Sequence, residues 1–169
     1  MIFDLSDHLN SKVVFLWSLK LKKICTFFGH RTSPSCLYGL LMQQIEFLIQ
    51  NHNINYFWVG GYGEFDRMAS RAIRELKNSY PHICLQLFLA YLPQKNKSEL
   101  TYLYQLYDDL VYPEGLEIIP QRFAIVKRNQ YMIANSDIII TYASNESGGT
   151  YQALQYAQKM KKNVINLTQ

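Results

Sequence analysis

The sequence predicts an α/β fold: a three-layer, Rossmann-like, doubly wound and mainly parallel sheet with helices on both faces. Three observations predict it. Short apolar runs without polar alternation recur along the chain, namely Ile24-Cys25-Thr26-Phe27-Phe28, Tyr56-Phe57-Trp58-Val59 and Ile138-Ile139-Ile140, as in strands covered on both sides. Between them the apolar residues switch to helical spacing, and strands alternating with helices pair in parallel through right-handed crossovers. At 169 residues, 49% hydrophobic and 18% charged, the chain suffices for one core and is short for two. Residues 24–169 are therefore expected to form one domain, behind an N-terminal extension of residues 1–23.

The extension carries the apolar run Val13, Val14, Phe15, Leu16 and Trp17 after Asp4, Asp7 and His8. It lacks the basic start and small-residue cleavage site of a signal peptide, and is too short to span a bilayer, so it is expected to pack on the domain or on a partner subunit. After the first strand, Gly29-His30-Arg31-Thr32 turns, and Ser33-Pro34 reads as a helix cap followed by proline at the first helical position. Leu37, Leu40, Leu41, Ile45, Leu48 and Ile49 repeat at helical spacing until about residues 51–53. The second strand leads into the glycine loop Gly60-Gly61-Tyr62-Gly63, after which Asp66 is a candidate cap for a helix with Met68, Ala69, Ala72, Ile73 and Leu76 inside. A third strand is expected over residues 83–89.

Residues 90–120 break this rhythm with Pro93, Pro113 and Pro120 and a run of tyrosines. A short helix over 98–106 and a short strand over 110–112 are expected there, in a connection long enough to act as a functional flap. A helix over 123–135 then leads to the central strand, a small-residue loop and a last helix marked by Ala153, Leu154, Ala157 and Met160, with residues 163–167 as the closing strand. In that loop Ser147, Gly148, Gly149 and Thr150 let backbone approach a ligand and offer a hydroxyl for capping, and free amides of a first helical turn favour an anion such as phosphate. Lys159, Lys161 and Lys162 fall where this helix should end, expected as solvated complements to its dipole.

The formal charge of +4 is modest and dispersed, so nucleic acid is not indicated as a partner. Cys25, Cys36 and Cys84 are odd in number and widely spaced, and with His8, His30, His52 and His82 they form no metal pattern. No metal and no cofactor is therefore expected, and the free thiols suit a reducing, cytoplasmic setting. In open parallel sheets ligands bind beyond the carboxyl ends of the strands, and all three loops, 29–33, 60–66 and 144–150, leave strands at that edge.

These elements resemble the SLOG superfamily, Rossmann-like proteins that include the cytokinin-activating phosphoribohydrolases, over residues 24–167. The likeness is nearest to an uncharacterised bacterial branch with a strand followed by Gly-x-Arg, here Gly29-His30-Arg31, and a glycine loop with an acidic pair, here Gly60-Gly61-Tyr62-Gly63-Glu64-Phe65-Asp66. The segment Lys127-Arg128-Asn129-Gln130-Tyr131-Met132-Ile133-Ala134-Asn135-Ser136-Asp137 before the central strand and the loop Ser147-Gly148-Gly149-Thr150 resemble those of the same branch. The resemblance implies recognition of a nucleotide or nucleotide-derived phosphate by backbone amides and helix ends, and homo-oligomerisation. Enzymatic relatives carry Pro-Gly-Gly-x-Gly-Thr-x-x-Glu, and the position matching its glutamate is Ala153 here.

The binding residues expected are accordingly Gly29, His30, Arg31, Gly60, Gly61, Gly63, Glu64, Asp66, Ser147, Gly148, Gly149 and Thr150, with Arg31 as the phosphate fork. Glu64 or Asp66 is expected on a sugar, Tyr62 or Tyr142 on a base, and His30 on either a ligand group or its own loop. An N-glycosidase with Glu64 or Glu146 as acid-base group, and a single-stranded DNA binder, are the two alternatives.

Overall fold

A computed structural model describes residues 22–92, 97–144 and 146–168. The extension as far as residue 21, with its apolar run, lies outside the described residues, as do Pro93 and Asn145. Six parallel strands form one sheet in the order β4-β3-β2-β1-β5-β6. They are β1 (Ile24–Gly29), β2 (Tyr56–Val59), β3 (Cys84–Phe88), β4 (Asp109–Val111), β5 (Ile138–Tyr142) and β6 (Asn163–Asn166). The helices between them are α1 (Leu37–His52), α2 (Glu64–Leu76), α3 (Lys97–Leu106), α4 (Gln121–Asn135) and α5 (Gly148–Lys159). Each expected strand and helix is present.

Successive strand residues alternate between two cores because their side chains point to opposite faces. Phe27, Phe57, Val59, Leu85 and Ile140 join Leu41, Ile45 and Leu48 of α1 and Ala69, Ala72 and Ile73 of α2. Phe28, Trp58, Phe88 and Ile139 join Met132 and Ile133 of α4 and Ala153 and Ala157 of α5 on the other face. The chain is thus a three-layer, Rossmann-like fold.

Four local expectations are corrected. Ser33 does not cap α1: its Oγ donates to the His30 carbonyl at 2.9 Å, and a turn closed by Leu37 N–H to the Pro34 carbonyl precedes the helix. Gly63, not Asp66, precedes α2, which starts at Glu64, and Ser147 precedes α5 with no cap bond from its side chain. Lys162 is not simply solvated, since its ammonium donates to the carbonyls of Ala134 and Ser136 at 2.7 and 2.9 Å. It thereby satisfies the C-terminus of α4, the neighbouring helix, whose last carbonyls lack intrahelical partners.

Candidate functional site

The strand order runs leftward from β1 to β4 and rightward through β5 to β6, so it reverses between β1 and β5. Diverging connections leave a crevice at such a point. Gly29 pairs with Tyr142 at the carboxyl ends of these strands, which places the 29–33 and 144–150 loops side by side. His30 ties them together, because its Nε2 accepts the Ser144 N–H at 3.0 Å while the ring meets Tyr142 edge-on at 5.9 Å. Of its two anticipated roles the loop bond is the one observed.

On the left the first turn of α2 packs directly over β1. A Cβ on Gly29 would lie 2.2 Å from the Phe65 ring, so only glycine fits there. Gly63 has φ +99° and would bring a Cβ within 2.9 Å of the Arg31 backbone, holding the two loops close. The Glu64 N–H donates to the Arg31 carbonyl at 2.9 Å in the same junction. Asp66, buried at 7% exposure, turns back to accept the Tyr62 N–H at 2.9 Å, and so orders the glycine loop from inside the helix. Burial pushes its carboxyl up to about 6, against the pull of the Tyr62 amide, the Arg128 charge and the amides of Gly61 and Gly60.

Arg128 is the residue that sequence reasoning did not place in the site. It is 2% exposed, and its Nη1 donates to the carbonyls of Gly60 and Phe88 at 2.7 and 2.6 Å. Its Nε donates to Asn129 Oδ1 at 2.9 Å, and its guanidinium sits 5.4 Å from the Tyr62 ring centre. Burial lowers its pKa, the Asp66 charge opposing, yet it makes no direct ion pair among the described residues. A signal was available: Ala124, Arg128 and Met132 are spaced by four, which puts a charge on the buried stripe of α4.

These groups enclose a cavity of about 300 Å³ at the switch point. Of the sequence-predicted residues, Gly29, His30, Arg31, Gly60, Asp66, Gly149 and Thr150 line it, with Tyr62 beside them. Arg128, Asn129 and Ile125 of α4 close its far wall. Gly61, Gly63, Ser147 and Gly148 shape the loops without lining the cavity. The two carboxylates considered for acid-base work are elsewhere: Glu64 pairs with Arg67 at 2.6 Å, and Glu146 is exposed. Ala153 is buried between α5 and the sheet, so no carboxylate from that helix reaches the cavity at this position. Among the described residues no group of three or more His, Cys, Asp or Glu side chains could hold a metal ion, and no helix is long and apolar enough to cross a membrane.

What the arrangement offers chemically is a concave polar surface with two guanidinium groups, a helix N-terminus with open backbone at Gly149, and one carboxyl that burial raises to about 6. No protein-family model matches the chain. Among curated proteins, a UPF0398 protein of Halalkalibacterium halodurans is 22% identical over 157 residues, covering 89% of this chain and 82% of the relative. Among solved structures, DNA processing protein A of Helicobacter pylori, described for its single-stranded DNA binding mode, superposes with a TM-score of 0.60. The two share 17% identity over 87% of this chain and 67% of that one. The structural-genomics target TM1055 superposes with a TM-score of 0.56 at 17% identity, covering 84% of this chain and 72% of the other. The two structural likenesses show a shared Rossmann-like fold, and the distant UPF0398 relative is consistent with the same superfamily.

Proposed function

We propose that this chain is a SLOG-type module whose switch-point cavity binds a nucleotide-derived ligand without turning it over. The observation that carries the reading is Arg128: a guanidinium at 2% exposure, lining a cavity, whose protein partners there are neutral carbonyls and an amide. A buried cation lacking a direct counter-ion favours an anionic guest, and a second guanidinium, Arg31, stands at the mouth. The phosphate lies against Arg31 and the amides at Gly149 and Thr150, at the positive end of α5. The sugar lies on Asp66, whose carboxyl, raised to about 6 by burial, is mostly ionised at neutral pH and accepts from ribose hydroxyls. Tyr62, 46% exposed, offers a ring face to the base.

Turnover is disfavoured because Glu64 and Glu146 stand off the cavity and position 153 is alanine. Single-stranded DNA is the second reading, supported by the likeness to DNA processing protein A. Thermal-shift measurements with AMP, ribose 5-phosphate and adenosine test the set. AMP is expected to stabilise the protein more than adenosine, and Arg31→Ala to lose most of that gain. Equal stabilisation of wild type and Arg31→Ala removes Arg31 as the anchor. Release of free adenine from AMP would establish the glycosidase instead, and binding of single-stranded DNA that weakens steeply with salt would establish the DNA reading.

A further inference from the structure

A second recess, of about 370 Å³, runs along the trough between α4 and α5. It shares Ile125, Asn129 and Gly149 with the switch-point cavity, so the two spaces open into each other at the start of α5. Beyond that junction the lining changes character. Val126, Ile133, Ala153 and Tyr156 make the bed of the trough, and the one charge among its lining residues is Lys159. Lys159 ends α5, ten positions past Gly149, or about 15 Å along the helix. Polar cavity and apolar trough thus form one channel, and together they lie within the roughly 300–1,000 Å³ usual for small-molecule sites.

The junction sits at one particular end of the nucleotide site. Tyr62, assigned to the base, lines the cavity and not the trough, whereas Gly149, assigned to the phosphate, lines both. Asn129 marks the same place. Its Oδ1 is taken by the Arg128 Nε–H at 2.9 Å, which leaves its Nδ2 to donate toward a ligand. A terminal phosphate monoester standing here would turn an anionic oxygen toward an apolar bed, and burying a charge without a partner is costly. A phosphate esterified on that side presents carbon instead.

Resting on the nucleotide reading of the cavity, we infer that the ligand is a nucleotide phosphodiester whose second ester arm is alkyl and lies in the trough between α4 and α5. Asn129 and the amides at Gly149 and Thr150 hold the phosphate, and the arm covers Val126, which is 39% exposed. From Ile125 to Ile133 is eight residues of helix, about 12 Å, which suits a chain of medium length. Each methylene that leaves water for this bed adds to affinity. A protein segment suits the space less, because a standard interface buries about 800 Å² on each partner and this recess takes only a few side chains.

Calorimetry on the full-length protein tests the arm and the nucleotide reading separately. The probes are AMP, its methyl phosphodiester and its octyl phosphodiester, the last kept below its micelle concentration. The octyl diester is expected to bind at least about tenfold tighter than the methyl diester and to be displaced competitively by AMP. In Val126→Gln, which puts an amide on the trough wall, the octyl-to-methyl ratio should fall severalfold. An octyl diester no tighter than the methyl diester overturns the inference, while binding of AMP in the same experiment leaves the nucleotide reading standing. If none of the three binds, both fall. An octyl diester that AMP does not displace sits elsewhere and overturns the inference, as does a ratio that Val126→Gln leaves unmoved. So does a dimer, seen by light scattering, that Val126→Gln dissociates, because a second copy would then cover the trough. The comparison of diesters and the competition need no substitution, so a poorly folding variant does not spare the inference from test.

Discussion

Two glycine loops face each other across the cavity, and they are glycine-rich for opposite reasons. At Gly60 an added Cβ would lie 2.7 Å from the Arg128 guanidinium, and at Gly61 it would lie 2.7 Å from Leu87. This loop is packed from within, and its glycines make room for the protein's own atoms. At Gly148 and Gly149 an added Cβ meets nothing within 4 Å. The second loop is open, with Gly149 on the cavity wall, so the space beside it is available to a guest. The contrast teaches that a pair of glycines marks close approach without saying what approaches.

The sharpest way to break this comparison is Gly60→Ala, which drives a methyl group into a buried guanidinium. It should destabilise by about 3 kcal/mol in urea unfolding, since neither Arg128 nor the strand beneath it can yield. A cost below about 1 kcal/mol would show the loop to be less tightly packed than described.

Asp66→Asn is next, and its effect depends on pH. The folded-state pKa of Asp66 is raised to about 6 from 3.8, so its stabilising contribution is complete below about pH 3.8 and is lost as pH rises through 6. Asparagine keeps an acceptor for the Tyr62 N–H and has no proton to lose. The stability of the variant relative to wild type should therefore grow between pH 4 and pH 7, by at most about 3 kcal/mol. A difference that stays flat over that window would mean that Asp66 titrates as an ordinary carboxylate.

Arg31→Ala should leave unfolding within about 0.5 kcal/mol of wild type, because the side chain is exposed and makes no ion pair among the described residues. Its effect belongs to binding: AMP affinity measured by calorimetry should fall roughly tenfold, the usual scale for one charge-assisted contact. Gly149→Ala should shift stability by at most about 1 kcal/mol, in the stabilising direction, since alanine suits a helix better. Yet AMP binding should weaken, and a variant that binds AMP as wild type does would move the phosphate away from α5.

The strands and helices were legible because their signals are local. Tyr56–Val59 is bounded as expected from four consecutive apolar residues, and α2 buries Met68, Ala69, Ala72, Ile73 and Leu76 as their spacing requires. The convergence of three loops on one edge followed from alternation and handedness alone. Cap assignments were less legible. Ser33 and Asp66 both use their oxygens to organise the loops ahead of a helix, which a short-range preference for polar residues at helix starts does not distinguish from capping.

What the order of residues decided about this protein is its architecture: unbroken apolar runs alternating with segments of period 3.6 are enough to specify parallel strands with helices on both faces. What the tertiary structure decided is the membership of the cavity. Arg128 enters it from 68 positions beyond the Gly60 carbonyl it holds, while Glu64 turns outward to Arg67. Periodicity reports which face a side chain shares with its neighbours in sequence, but charge compensation and free volume depend on atoms brought together only when distant segments pack.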